Sequence, residues 1–482
     1  MSPEADPAQA CSSSIDLTQL PLILAGPILR RTTAEAVTVW LALQRPCDVE
    51  LTIRTTHEAG KAIGPVVLRG KASTIRLGHS LHIVAVTAAT VAVSSNLDVS
   101  QTSSAQPGAA REATKQQRYR LEAGQLYAYD LEFHRSNPGS DGNSPSPPAI
   151  SLGQDSSPVN AIPLQQALIS AAFPDLSISY FSHGLPTFAL CPTQLDQLQL
   201  FHGSCRNVQD RGRDALAIVD CAAAHHAAQP NQRPHQLIFT GDQIYGDEVA
   251  DPFLWAILQV KAALWDWVEP LDITEAEFLD WHQALQPGQR SQIATDTAGL
   301  TASLENTPEK ASSHLFRFGE YCIAYLFSWS QCFWQLDFPP ASALGYRGKQ
   351  AQRWDQDVVH LNRNRESQPL VRRALANVPT YMIFDDHDVS DDWNLNRAWC
   401  QRVLGSTLGY QVVRNAMLAY ALFQAWGNTP EQFAAGTVGG KLLNATEAWC
   451  GRGDRATAAT LARLLGLPPK MSFFAPMGRP GF

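Results

Sequence analysis

The stretch Phe239-Thr240-Gly241-Asp242-Gln243-Ile244-Tyr245-Gly246-Asp247 decides how the rest of the chain is read. The apolar run from Leu237 to Phe239 predicts a strand, and the glycine and carboxylate after it predict a sharp turn at the strand's carboxyl end. A carboxylate held there offers two oxygens and can bridge a pair of cations, while a phenol three residues on can reach the harder cation as phenolate. The plain alternative is an ordinary Gly-Asp turn followed by a half-buried tyrosine.

On the N-terminal side, Leu198 to Phe201 reads as a strand ending at His202-Gly203-Ser204-Cys205-Arg206, and Asp214 to Ala228 as an Ala-rich helix with Asp214 as its cap. Strand, helix and strand in this order predict a right-handed βαβ unit, hence a parallel sheet with helices on its faces. Ligands of such sheets collect beyond the carboxyl ends of the strands. Cys205, Arg206, Asp242 and Tyr245 all fall there.

On the C-terminal side, residues 252 to 376 read as mostly helical, with an aromatic-rich run from Leu315 to Trp334 that belongs in a core and a linker-like stretch from Gln286 to Ser312. We read this as a helical insertion. A helix-like segment from Pro369 to Ala376 then returns the chain to a strand at Thr380 to Phe384. That strand runs directly into Asp385-Asp386-His387-Asp388-Val389-Ser390-Asp391-Asp392-Trp393-Asn394, five aspartates around one histidine. Such a cluster straight after an apolar strand calls for cations to offset its repulsion. Beyond it, Leu408 to Trp426, Leu442 to Trp449 and Thr457 to Leu465 read as helices.

Ahead of this region the hydropathy has period two: Val37, Val39, Leu41 and Leu43; then Val49, Leu51 and Ile53; then Tyr127, Tyr129, Leu131 and Phe133. Leu121 to Tyr129 is similar to the turn and tyrosine-bearing strand of a fibronectin-type sandwich. Loops near 94–110 and 136–157 are too polar or too rich in proline and glycine to order themselves. The expected organisation is therefore a disordered N-terminus over 1–18, an all-β sandwich over 19–194, and a sheet-and-helix unit over 195–482 with the insertion at about 252–376. The fold class is α+β/α/β.

Composition narrows the function. A chain of 482 residues with 45% hydrophobic residues can bury large cores. With 17% charged residues and a net charge of -8, it has no general basic field for nucleic acid. The nine cysteines are scattered and never spaced Cys-x-x-Cys, so neither a disulfide framework nor a zinc cage is indicated. The N-terminus has no apolar h-region and no run of eighteen apolar residues occurs, which gives the expectation of a soluble, cytoplasmic protein without a membrane partner.

Three predicted strands thus end in Cys205-Arg206, in Asp242 to Tyr245 and in Asp385-Asp386-His387. Thiolate and phenolate suit trivalent iron; carboxylates suit calcium, magnesium or manganese. Two cations there would clamp a phosphate ester and stabilise both oxygens of an in-line displacement. His387 can protonate a leaving alkoxide or bind phosphoryl oxygens, and Arg206 can hold a phosphate by a bidentate fork.

Ser204-Cys205-Arg206, Gly241 to Asp247 and Asp385-Asp386-His387-Asp388 resemble, in order and strand-end context, three signatures of the PhoD-like alkaline phosphatases within the calcineurin-like metallophosphoesterases. The Gly-Asp-x-x-Tyr block is also similar to the one through which purple acid phosphatases bind ferric iron. The resemblance covers mainly residues 196 to 400. It implies Cys205 and Tyr245 as iron ligands, Asp242 as the bridge, Asp386 with Asp385 beside it at the second metal, and His387 as the catalytic histidine. It further implies Fe(3+) plus a divalent ion (Ca2+, or Mn2+/Mg2+), a phosphate mono- or diester as substrate, and a β-sandwich accessory domain.

The chain departs from the superfamily pattern in one respect. A late histidine-bearing block supplies further metal ligands in that superfamily, and no histidine follows His387 here. The expected metallophosphoesterase sheet is therefore incomplete, and the chain reads as truncated. The alternative function is a non-catalytic metal- or phosphate-binding remnant. A third reading, an acid/base carboxylate pair for glycoside hydrolysis, has no use for Cys205 or Tyr245.

Overall fold

The computed structural model describes residues 15–90, 119–135, 161–273, 281–300, 308–391, 393 and 395–469. The loops expected near 94–110 and 136–157, and most of the N-terminal segment expected to be disordered, lie outside these residues.

The period-two segments form strands with one side in and one side out. In β3 (Cys47–His57), Cys47, Val49, Leu51 and Ile53 are buried, while Asp48, Glu50, Thr52 and Arg54 alternate toward solvent. This strand lies between β4 (Ala62–Ser73) and β7 (Leu126–Arg135), both antiparallel to it. On the other side β2 (Ala36–Leu43) lies between β1 (Ile23–Thr32) and β6 (Leu81–Ala89). The two groups meet where Arg69 of β4 pairs with Ala89 of β6. The short strands β5 (Ile75–Gly78), β8 (Ile162–Pro163) and β9 (Thr187–Ala189) complete one antiparallel sheet. Where two separate sheets were expected, there is one sheet folded over a shared filling that includes Val39, Leu41, Leu51, Ile53 and Leu131. Tyr127 Oη accepts the Glu122 N–H at 2.8 Å, which ties the preceding turn to β7.

The outer face of β1 and β2 is buried as well, because helices from the second half pack on it. Trp40 meets Trp329 edge-on at 5.5 Å, lies 5.0 Å from Phe423, and donates its indole N–H to the Leu422 carbonyl at 2.9 Å. Arg372 donates to the carbonyls of Gly26 and Ile23 at 2.8 and 3.0 Å. Residues on both sides of position 194 therefore share one core.

The second sheet is parallel and, among the described residues, has three strands: β10 (Leu200–Gly203), β11 (Gln236–Phe239) and β12 (Thr380–Met382), with β11 in the middle. Gly203, Phe239 and Met382 are in register, so the three strands end side by side. The crossover helix from β10 to β11 is Ala217–His225, shorter than its sequence predicts. Asp214 accepts the Leu216 N–H but is mainly engaged by Arg206, so it does not act as the helix cap.

The connection from β11 to β12 contains the helices Asp251–Leu264, Phe318–Trp329 and Gly348–Asn377. The last runs straight through Pro369, where the sequence predicts a new helix to begin. Its buried residues Trp354, Leu361, Val371 and Leu375 fall on both sides of the proline, and that packing outweighs the missing N–H. Among the described residues after β12 the regular elements are helical, and Ser406, Thr437 and Asp454 cap the helices Thr407–Tyr420, Val438–Trp449 and Arg455–Leu464.

Phe318–Trp329 is buried along its whole length. Its first turn is held by Glu320, which takes two bonds from Arg290, at 2.9 and 3.0 Å, and one from the Phe316 N–H at 2.8 Å. Burial alone would raise the Glu320 pKa; the Arg290 charge and its hydrogen bonds outweigh that and bring it down to about 2. The folded value lies below the ordinary 4.5, so this stabilisation is present above pH 4.5 and is lost as the pH falls toward 2. Glu320→Gln should lower the unfolding free energy at neutral pH by about 3 kcal/mol, since it leaves a buried guanidinium unpaired. In urea melts the variant and the parent should converge as the pH approaches 2; a gap that stays constant with pH would show that the ion pair is not the source.

Candidate metal centre

The loops after β10, β11 and β12 are packed so closely that their backbones are strained. Cys205 and Asp242 adopt left-handed φ values of 55° and 51°, a conformation that costs a non-glycine residue about 1–2 kcal/mol. Gly241 has φ 134°, and a Cβ placed on it would lie 2.3 Å from the Asp385 Cβ. Only glycine lets the second loop pass the third at this point.

Asp388 holds the arrangement. It is 1% exposed, and its carboxylate accepts the N–H groups of Asp242 at 2.7 Å, Asp385 at 3.0 Å and Gln243 at 3.2 Å. The Tyr325 hydroxyl reaches it at 3.3 Å. Burial, reinforced by the nearby Asp242 charge, pushes its pKa up to about 7 although the backbone bonds pull the other way.

Around this anchor the side chains form two groups that share Asp386. In the first, carboxylate oxygens of Asp242, Asp385 and Asp386 lie within 4.8 Å of one another. In the second, donor atoms of Asp386, His387 and Asp391 lie within 4.8 Å of one another. Asp242 is 3% exposed and its Oδ1 is buried without a hydrogen-bond partner among the described residues. Burial raises the Asp242 pKa; a hydrogen bond from the Cys205 thiol and the His387 charge work against this, and the charges of Asp386 and Asp385 add to it. A buried, unpartnered carboxylate oxygen beside two more carboxylates is matched to a hard cation.

His387 is held from three sides. Its Nδ1 lies 2.8 and 3.0 Å from the two oxygens of the buried Asp247, and its ring stacks on Tyr245 with centroids 4.4 Å apart at 24°. Its carbonyl accepts the Gly246 N–H at 2.6 Å. Burial works against the imidazolium, but the Asp247 hydrogen bond and charge, helped by Asp386 and Asp242, bring the pKa up to about 9. Asp247 is fixed in turn by the Asp391 N–H at 2.7 Å.

Of the residues singled out in the sequence, Asp242, Asp385, Asp386 and His387 come together. Cys205 and Tyr245 border them. The Cys205 thiol lies 3.3 Å from the Ser204 hydroxyl. That bond favours the thiolate, but burial and the charges of Asp242 and Asp385 hold the thiol above its ordinary value. Cys205 belongs to neither 4.8 Å group. Burial, followed by the charges of Asp242 and Cys205, keeps the Tyr245 phenol strongly protonated.

Arg206 departs from its expected role. Its guanidinium, 8% exposed, is bonded to Asp214 at 2.7 Å, the Ser328 carbonyl at 2.9 Å and Gln243 at 3.1 Å. These partners engage both terminal nitrogens, Nε is buried without a partner among the described residues, and the residue acts as an internal tie between loop and helices. Sequence reasoning placed Asp247, Asp388 and Asp391 within the two acidic stretches but gave none of them a role of its own. Asp247 was legible as the next acid after Tyr245, but its pairing with a histidine 140 residues away was not.

No family model matches the chain, and no curated protein does. Among solved structures, one titled "Structure of PhoD" superimposes with a TM-score of 0.32 and 10% identity, over 83% of this chain and 46% of that chain. The chain thus spans less than half the length of that structure, and the superposition is too loose to assign roles.

The Asp247 pairing can be checked directly. In chelator-treated protein, NMR titration of the His387 ring should give a pKa near 9, and Asp247→Asn should lower it by at least about one unit, the loss of one close charge partner. An unchanged value in the variant would remove Asp247 as the cause.

Proposed function

We propose that the chain is a metal-dependent phosphoric ester hydrolase acting on phosphate mono- or diesters. The observation that carries this reading is the Oδ1 of Asp242, unpartnered among the described residues, inside a three-carboxylate cluster that shares Asp386 with His387, whose Nδ1 faces Asp247. Asp242, Asp385 and Asp386 are the residues that would hold a hard divalent ion (Ca2+, or Mn2+/Mg2+). Cys205 and Tyr245, at the border of the cluster and both held protonated by their surroundings, would have to give up those protons to hold Fe(3+) as thiolate and phenolate. Cations bound there would supply Lewis acidity to a phosphoryl group and to an attacking water.

The chain's own residues have the remaining tasks. With a pKa of about 9, His387 carries protons on both ring nitrogens at neutral pH. Asp247 accepts the hydrogen bond from Nδ1–H, which leaves Nε2–H to bind a phosphoryl oxygen or protonate the leaving alkoxide. Tyr245, stacked on the ring, and Asp247 together restrict its rotation. Asp388 fixes the spacing of the loops. Residues 195–482 are the catalytic unit in this reading, and 19–194 the accessory layer packed on it.

A second reading, a metal- or phosphate-binding remnant without catalysis, draws on one observation: His387 is the single histidine in the two donor groups, and its Nδ1 already faces Asp247. Metal stoichiometry separates the two. The hydrolase should hold two metals per chain, show a visible phenolate-to-iron band, and lose at least about a hundredfold in rate on 4-nitrophenyl phosphate upon Asp242→Asn. Metal-replete protein without turnover of any of several mono- and diesters would overturn the proposal in favour of the remnant.

A further inference from the structure

The connection from β11 to β12 reaches the centre itself. Its residues 314–321 bond the loop after β11 and the loop after β12, which between them carry Asp247 and the donor group of Asp386, His387 and Asp391. The Leu315 N–H donates to the Gly246 carbonyl at 2.6 Å, while the Gly246 N–H is taken by the His387 carbonyl, also at 2.6 Å. A Cβ on Gly246 would lie 2.6 Å from the Val389 carbonyl oxygen and 2.9 Å from the Tyr321 ring. Two loops and the helix Phe318–Trp329 thus meet at a point with no room for a side chain.

Within the third loop, the Val389 and Ser390 N–H groups share the Asp386 carbonyl at 2.8 Å, which ties its near end. The far end, toward Asp391, is gripped by two fully buried side chains of the connection. The Tyr321 hydroxyl donates to the Val389 carbonyl at 2.9 Å, with the Leu315 carbonyl at 3.2 Å as a second acceptor. His314 meets the next residue. Its Nδ1 lies 2.7 Å from the Leu315 carbonyl, which can only accept, so that nitrogen carries the ring proton. Burial disfavours a second proton, and Nε2 therefore accepts from the buried Ser390 hydroxyl at 3.0 Å, a shorter bond than the one to the Leu300 carbonyl at 3.4 Å. The peptide group after Ser390 supplies the Asp391 N–H that bonds Asp247 at 2.7 Å, and Asp247 holds Nδ1 of His387 at 2.8 Å.

We propose that His314 and Tyr321 are positioning residues for His387. By fixing the Val389 carbonyl and the Ser390 hydroxyl they set the direction of the Asp391 N–H, and through it the orientation of Asp247 and of the imidazole that Asp247 aims. Neither residue meets a substrate; both act through the loop, as outer partners orient the groups that do the chemistry. The effect on rate rests on the hydrolase reading, whereas the hold on the His387 ring does not.

The test follows the His387 Nδ1–H by NMR in the full chain, histidine-labelled and chelator-treated. Held by Asp247, this proton should give a downfield resonance that exchanges slowly with water. Ser390→Ala and Tyr321→Phe each remove one hydroxyl and should speed its exchange at least about fivefold, and His314→Leu at least about tenfold. His314→Gln, whose amide oxygen can accept in place of Nε2, should stay within about threefold of the parent. Leu461 is buried in the helix Arg455–Leu464, so Leu461→Ala should lower the melting temperature by leaving a cavity there and not alter the exchange. Unchanged exchange in both Ser390→Ala and Tyr321→Phe, or equal acceleration by Leu461→Ala, would show a merely structural role and overturn the proposal. With metals restored, Ser390→Ala should lower kcat for 4-nitrophenyl phosphate at least about tenfold while KM stays within about twofold. An active enzyme whose kcat is unmoved would also overturn it. Accelerated exchange in the variants of a parent that turns over no ester would sink the hydrolase reading and leave the positioning role standing.

Discussion

The Asp388 carboxylate is the constraint on which the candidate centre depends. It lies in the third strand-end loop and bonds the backbone N–H groups of Asp242 and Gln243 in the second as well as Asp385 in its own. Because these are main-chain donors, the bond positions the loops whatever their side chains do. The cost is a buried acid whose charge lies close to Asp242, and the rise in its pKa measures that cost. One carboxylate therefore has an architectural role in the middle of a cluster in which oxygens of Asp242, Asp385 and Asp386 lie within 4.8 Å of one another.

The same division of labour explains the two groups around Asp386. Acids bonded to backbone or to a partner side chain, Asp388 and Asp247, fix geometry; Asp242 retains a free buried oxygen and, with Asp385 and Asp386, concentrates negative charge. Gly241 makes this concentration possible, because its contact with Asp385 has no room for a side chain. Without cations the loops are held together against their own repulsion by main-chain bonds, an arrangement suited to rigid ligation.

Local pattern carried much of this. Period two in β3 and the apolar run into Gly241 were legible because each strand's environment repeats along the chain. The βαβ order came from length and connectivity. The features that were not legible depend on partners far away in sequence. Asp214 looked like a helix cap until Arg206 claimed it, and Arg206 looked like a phosphate fork for want of any sign of Ser328 and Gln243. Pro369 looked like a helix start because the packing that carries the helix across it is tertiary. The folded-over β-layer looked separable since nothing in β2 announces that Trp40 faces another core.

That tryptophan bears on how the chain tolerates change. Trp40 bonds the Leu422 carbonyl, Arg30 bonds the carbonyl of Gln424 at 2.7 Å, and the Gln424 side chain bonds the Tyr325 hydroxyl, itself a donor to Asp388. A short series of hydrogen bonds thus runs from the first two strands to the anchor of the loops. In a lineage of such chains, β1 and β2 would be inherited as a block with the helical segment 421–428, and swapping the β-layer for another of similar shape would disturb a centre that it never touches.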